Sequence, residues 1–316
     1  AAHPDYITYT ADDLRCLVTS NKVAGKVGIV TGGGSGHLPL FLGYVGKGML
    51  DGCCVGGVFQ SPSPEQVFNV TKEVDDGAGV LYIYGNYNGD ILNFDMGAEM
   101  ADFEEDIRVE TVVAGEDVAS AAPAGPGEPN HRRGVAGIVF VYKCAGAAAA
   151  QMKDLDEVKR IAEKAAANVR TMGVALTPCT IPEVGKPGFT IADDEMAIGM
   201  GIHGEAGIRN GKIEPADAIV DEMLEKILPD IPYEKGDEVA VMVNGLGATP
   251  LQELYLANLR VSEVLAEKNI KVAKTLVGNY MTSIDMAGYS ITLLKLDAEL
   301  KELVNAPADT PAFVQV

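Results

Sequence analysis

Along the chain, short apolar runs at residues 27–30, 53–59, 80–84 and 109–113 alternate with stretches of helical character. That rhythm predicts strands of an α/β protein with helices between them. Ser63-Pro64-Glu65-Gln66 combines an N-cap, a proline at the first helical position and a capping-box glutamine, so a helix starts there. A second helical run covers 91–103. Residues 115–133, rich in Gly, Pro and Ala, read as a long exposed loop. Helix is expected again over 134–170, where 145–150 is nearly all alanine and 154–170 is charged and amphipathic. Beyond it, 173–178 and 238–243 read as strands and 182–187 as a turn-rich crossover. Thr249-Pro250-Leu251-Gln252 repeats the capping-box pattern. The expectation is two α/β domains with predominantly parallel or mixed sheets, 1–185 and 186–316, with the boundary within 180–195. Ligand loops at the strand ends would form a cleft for a small molecule. No sequence repeat relates the halves.

Composition narrows the class. A chain of 316 residues is long enough for two cores, and 47% apolar residues without Trp suit an aliphatic interior. A net charge of -20 disfavours nucleic acid or an anionic membrane as partner. That charge fits a soluble cytoplasmic protein, and no apolar run reaches the length of a membrane span; Ala1 is not an initiator Met, so the numbering is expected to begin inside the native chain, which leaves an upstream targeting segment open. The five cysteines lack metal-site spacing and read as reduced core residues, with adjacent Cys53 and Cys54 on opposite faces of a strand. No metal site is expected on this chain.

Residues 26–37, KVGIVTGGGSGH, carry the strongest chemical signal. Glycine lets the backbone approach a ligand closely, and successive N–H groups in such a turn form a concave donor surface. Three familiar templates fail here. His37 stands where both the dinucleotide pattern GxGxxG and the nucleophile elbow GxSxG need glycine, and no GxxxxGK[ST] occurs anywhere. Two further glycine-flanked polar sites follow apolar runs, GNYNGD at 85–90 and GIHGEAG at 201–207. Taken alone, His37 reads more often as a structural histidine than as a catalyst. Asp90 could simply cap the helix that follows. His203 lies in a turn where glycines on either side open its ring to close approach. Three other features are read as surface or core: Arg132-Arg133 as a solvated loop edge, the acidic runs 104–106 and 193–195 as exposed faces, and 196–200 with its two methionines as core.

These motifs resemble the dihydroxyacetone-binding (DhaK) subunits of dihydroxyacetone kinases over essentially the whole chain. In order they are GGGSGH, a GYxGxGML segment at 43–50, SPSP at 61–64, NYxGDxxNF at 86–94, GIHGE at 201–205, NxLGATPLxELY at 244–255 and TSxDMxGxSITLL at 282–294. The resemblance implies that His203 attacks a ketone carbon and holds the substrate as a hemiaminal. A neutral imidazole is a competent nucleophile near neutral pH, and a carbonyl is an electrophile that a polyol lacks. Capture then weakens as pH falls and the ring protonates. The same resemblance gives Asp90 as general base and His37 as the group orienting the reacting hydroxyl, with the Gly34 N–H and the Ser61 hydroxyl holding other oxygens.

It also implies that no nucleotide is carried on this chain. The donor would be ADP or ATP with Mg²⁺ on a DhaL partner, the ADP recharged by a phosphotransferase-system subunit such as DhaM, and the chain itself would form a homodimer. Leu38 replaces a glutamate common in the family turn, Leu40-Phe41 makes the start of the following helix more apolar, and Gly85 stands where related subunits carry a lysine. Such changes alter pocket polarity and volume and open two alternatives: a four-carbon ketose such as erythrulose as substrate, or a DhaQ-like coactivator that binds the ketone without catalysis. A family-free alternative is a carbohydrate-binding protein without chemistry.

Overall fold

The computed structural model describes residues 2–125 and 127–316. The chain divides into two compact units, neither continuous in sequence. The first comprises Ala1–Ala114, Ile138–Ala167 and Ala298–Val316, and the second Gly115–Gly137 and Asn168–Asp297. A single cut between 185 and 186 therefore falls inside the second unit. The chain enters that unit at 115, returns to the first for two helices, and crosses again near 168 and 298.

In the first unit, β1 (Ile7–Thr10), β2 (Asp13–Thr19), β3 (Gly28–Ser35), β4 (Gly52–Val58), β5 (Val80–Gly85) and β6 (Val109–Ala114) form one sheet in the order β1-β2-β4-β3-β5-β6. The β4, β3, β5 and β6 strands run parallel, while β1 and β2 make the antiparallel margin. Successive side chains point to opposite faces. Val30, Tyr82 and Tyr84 meet Val67 and Val70 of α1 (Pro64–Val74) and Phe94 of α2 (Asn88–Glu105). Thr31 turns the other way, where its hydroxyl lies 2.8 Å from that of Tyr142 on α3 (Ile138–Ala150), a helix buried along nearly its whole length. Charged α4 (Leu155–Asn168) instead keeps one exposed face. Helix α1 starts as the sequence predicts: Ser63 accepts the Gln66 N–H at 3.3 Å, and Gln66 accepts the Ser63 N–H at 3.0 Å. No α-helix follows β3. Residues 38–50 form a compact loop with one 3-10 turn at Leu42–Tyr44, and Leu40, Phe41, Tyr44 and Leu50 are buried in it.

The second unit holds β7 (Val169–Ala175), a small ribbon of β8 (Thr180–Ile181) with β9 (Lys186–Pro187), then β10 (Glu195–Ile198), β11 (Arg209–Lys212), β12 (Glu238–Gly245), β13 (Lys271–Gly278) and β14 (Gly288–Leu296). Its main sheet runs β11-β10-β7-β14-β12-β13, and only the β12–β13 pair is parallel. Helices α5 (Ala216–Ile227) and α6 (Leu251–Glu267) bury their apolar stripes on Val174, Ile198, Val241 and Ile291. The expected capping box at α6 does not form. Thr249 spends its hydroxyl on Gly288 of β14, donating to the carbonyl and accepting the N–H, each at 2.7 Å, so Pro250 is the N-cap.

The segment 115–137 is tied to β7 at its start. The Thr171 N–H donates to the Glu116 carbonyl and the Val118 N–H to that of Thr171, both at 3.0 Å. Arg132, expected at a solvated edge, is 4% exposed and grips Asp230 through two hydrogen bonds of 2.8 and 2.6 Å. Arg170 holds the same carboxylate. Burial alone would raise the Asp230 pKa, but the bonds from both arginines outweigh it and hold the carboxyl below its usual range.

The last segment completes the first unit. Helix α7 (Ala298–Asn305) packs on α3, where the buried Lys143 ammonium donates to the Leu303 carbonyl at 2.9 Å. The β15 (Ala308–Asp309) and β16 (Val314–Gln315) hairpin then closes on the 3-10 loop. The Asp309 N–H donates to the Lys47 carbonyl and the Thr310 hydroxyl to the Gly43 carbonyl. All five cysteines are buried free thiols, as expected. Among the described residues, no helix is long and apolar enough to cross a membrane.

Candidate functional site

Parallel strands place their following loops at one sheet edge, and the first unit uses that edge for four of the predicted site residues. Gly34 sits near the end of β3, against the backbone of Phe59, which follows β4. Two residues past β3, His37 is 2% exposed and stacks on the Phe59 ring with centroids 5.0 Å apart and planes 16° from parallel. The Phe59 N–H donates to the Ser35 carbonyl at 3.0 Å, locking the two loops together. Ser61 comes next on the β4 loop. Its hydroxyl lies 2.7 Å from where a Cβ on Gly89 would stand, so the glycine lets Ser61 come close beside Asp90. Asp90 is not the cap of α2. The helix begins at Asn88 with Tyr87 as its N-cap, and Asp90 lies in the first turn, 7% exposed. There the exposed N–H groups of the helix start favour a carboxylate. Gly34, His37, Ser61 and Asp90 are thus brought together on one unit.

His203 belongs to the second unit, in the loop from β10 to β11. The loop is folded by its own backbone: the Gly201 N–H donates to Glu205 O and the Gly204 N–H to Gly201 O, each at 3.0 Å. Beneath it, the Ser283 hydroxyl donates to the Ile202 carbonyl at 2.5 Å. Half-buried His203 has Nδ1 3.0 Å from Glu205 Oε1, while the Glu205 Oε2 accepts the His203 backbone N–H at 2.9 Å. Burial would raise the Glu205 pKa, but the hydrogen bond and charge of His203 overcome it, and the carboxyl falls to about 2. An ionised carboxylate only accepts, so Nδ1 carries the proton, and in the neutral ring Nε2 keeps the lone pair. Arg133 extends the chain of charges. Its Nη1 is 4.0 Å from Glu205 Oε2, and it pairs with the buried Asp117 at 2.7 Å.

Sequence reasoning included Glu205 in a motif without giving it a role, and it left Arg133 at the surface. The readable signal was a carboxylate two positions from a histidine in a glycine-flanked turn. Nothing local marks Arg133, because its partners are 16 and 72 positions away.

The fold and these two loop clusters define an α/β protein with strand-end sites built from glycine turns, buried histidine and carboxylate. Residues 1–312 match the Dak1 domain, and the chain belongs to that family, as the motif order implied. The "PTS-dependent dihydroxyacetone kinase 2, dihydroxyacetone-binding subunit DhaK" of Listeria innocua is 49% identical over 99% of this chain and 93% of its own length. The "L-erythrulose kinase" of Pectobacterium atrosepticum is 40% identical over 99% of this chain, which spans 53% of that protein. Among solved structures, "Dihydroxyacetone kinase operon co-activator Dha-DhaQ" superposes with a TM-score of 0.91 at 33% identity, covering 98% of this chain and 94% of that one.

Proposed function

We propose that this chain is the substrate-holding subunit of a short-chain ketose kinase. Dihydroxyacetone is the first-choice substrate, in line with the name of the Listeria relative at 49% identity. The observation that carries the reading is the His203–Glu205 hydrogen bond, which holds Nδ1 and makes Nε2 the nucleophilic nitrogen of the neutral imidazole. Nε2 attacks the carbonyl carbon, the π pair moves to oxygen, and oxygen takes up a proton while the ring sheds its Nδ1 proton to solvent. The product is a neutral hemiaminal. Asp90 acts as general base on the hydroxyl to be phosphorylated and His37 orients it, with the Gly34 N–H and Ser61 hydroxyl fixing further oxygens. The phosphoryl donor, ADP or ATP with Mg²⁺, resides on a DhaL partner. A DhaM phosphotransferase-system subunit recharges the ADP in the former case, and the subunit itself is a cytoplasmic homodimer.

Two observations support second readings. Leu38 is exposed and Gly85 offers no side chain, and a relative bearing the erythrulose kinase name is 40% identical, which favours a four-carbon ketose as alternative substrate. The close superposition on a structure named as a co-activator favours a ketone-binding protein without transfer chemistry. Intact-protein mass spectrometry after incubation with dihydroxyacetone or erythrulose decides capture. A ketone-sized mass gain that is lost in His203→Ala supports the reading, and no gain with either ketose defeats it. Phosphorylation of the ketose in the presence of a DhaL subunit then separates kinase from co-activator.

A further inference from the structure

The cation behind the capture loop has no part in the chemistry above, yet it is placed to control it. Arg133 is 13% exposed by side chain. Its Nε and Nη2 bind Asp117, 3% exposed by side chain, at 3.0 and 2.7 Å, and Nη2 also donates to the Gly199 carbonyl at 3.1 Å, at the start of the His203 loop. A Cβ on Gly201 would collide with both Glu205 Oε2 and Arg133 Nη1, so the carboxylate and the guanidinium meet over the same backbone atom. The absence of a side chain at Gly201 is what lets the two groups converge there.

We infer that Arg133 is a positioning residue for ketone capture: it clamps Glu205 so that Glu205 holds the Nδ1–H of His203 and Nε2 faces the carbonyl carbon. This rests on the proposed capture by His203. Among the described residues, the charged and titratable groups tied to this loop include Glu205 from the loop itself, Arg133 and Asp117 from the 115–137 segment, and Cys179, whose sulfur lies 3.7 Å from the Ser283 hydroxyl that donates to Ile202. Arg133 is the cation of this set. Its positive charge steadies the carboxylate that orients the ring, and Asp117 offsets part of that charge.

Opposite signs follow for the two variants. Arg133→Met removes the opposing cation, so the ring protonates more readily and the acid limb of adduct formation moves to higher pH. Capture at neutral pH falls by roughly 10–100-fold, by analogy with the loss of a hydrogen-bond partner that orients a metal-ligating histidine. Asp117→Asn leaves the full Arg133 charge facing the loop and moves the acid limb to lower pH. The experiment combines ¹⁵N NMR of the His203 ring in the ketone-free protein with adduct formation against pH. The expected result is a well-defined Nδ1–H tautomer in the wild type, a mixed one in Arg133→Met, and limbs displaced in opposite directions. An unchanged tautomer in Arg133→Met, or limbs that stay put or move the same way in both variants, would overturn the role. Should Arg133→Met fail to fold, the direction of the Asp117→Asn shift decides. The NMR comparison needs no adduct, so failure of the wild type to capture any ketone would sink the capture reading and leave the Arg133 result standing.

Discussion

The buried arginine pair on Asp230 makes an unequal prediction that surface charges would not. Asp230 is shared by Arg132 through two hydrogen bonds and by Arg170, with side-chain exposures of 8%, 4% and 17%. Replacing Asp230 with Asn removes the one carboxylate that both guanidiniums share. Breaking a buried pair this way costs about 3–5 kcal/mol. Replacing Arg132 with Met keeps the stem's packing and leaves Asp230 on Arg170, so the loss is smaller, about 1–3 kcal/mol. At roughly 2–4 °C per kcal/mol for a unit of this size, Asp230→Asn should lower the melting temperature by about 6–20 °C and Arg132→Met by about 2–12 °C. The sign with pH is fixed by the depressed Asp230 pKa: its contribution is present above the ordinary carboxylate range and is lost as pH falls through the lower folded-state value. Urea unfolding of both variants and the double mutant, at pH 7 and in acid, measures this. If Arg132→Met cost as much as Asp230→Asn, or if neither lost its effect in acid, the shared-carboxylate account would be wrong.

Glu116 titrates in the opposite sense. Full burial, opposed by hydrogen bonds from backbone N–H groups including that of Val135, pushes its carboxyl up to about 8. Ionisation is thus penalised in the folded state, and stability drains away as pH rises from the ordinary range through about 8, at most about 1.4 kcal/mol per unit. Glu116→Gln should flatten that slope, and melting curves between pH 5 and 9 that stay parallel would refute it. Asp90→Asn should keep the ketone adduct while cutting phosphoryl transfer by about 10²–10⁴-fold in a coupled assay with a DhaL subunit; equal loss of both would make Asp90 a binding group. Ser63→Ala should cost about 1 kcal/mol by chemical denaturation, because it breaks the hydrogen bond to Gln66 N, and no loss would show that cap to be redundant.

Much of the fold was legible because local rules decide local elements. The runs at 53–59, 80–84 and 109–113 became β4, β5 and β6, and the Ser63 cap formed as written. Strand direction was not legible. A strand buried on both faces reads as the same apolar run whether its neighbour is parallel or antiparallel, so nothing in 173–178 or 238–243 announced a mainly antiparallel second sheet. Thr249 failed as a cap for a similar reason: its hydroxyl found a partner 39 positions away that local spacing does not reveal. Arg132 and Arg133 look alike in sequence, as polar residues in a glycine- and proline-rich loop. Only the fold delivers Asp230 to one and Asp117 with Gly199 to the other. Within each unit the candidate residues were legible as motifs, whereas the Arg133 and Asp117 partners beside the His203 loop were not.

The interleaving of the two units sets the order in which a growing chain can finish them. All residues of the second unit have been made once Asp297 has been added, but the first still lacks α7 and the hairpin that receives Lys143, Gly43 and Lys47. On the ribosome the unit that starts first is therefore completed last, and its nearly all-buried α3 must wait for the final nineteen residues of the sequence before one flank is covered. A nascent chain stalled before residue 298 would expose that flank to chaperones, and a premature stop there would remove the cover of the unit that bears His37 and Asp90.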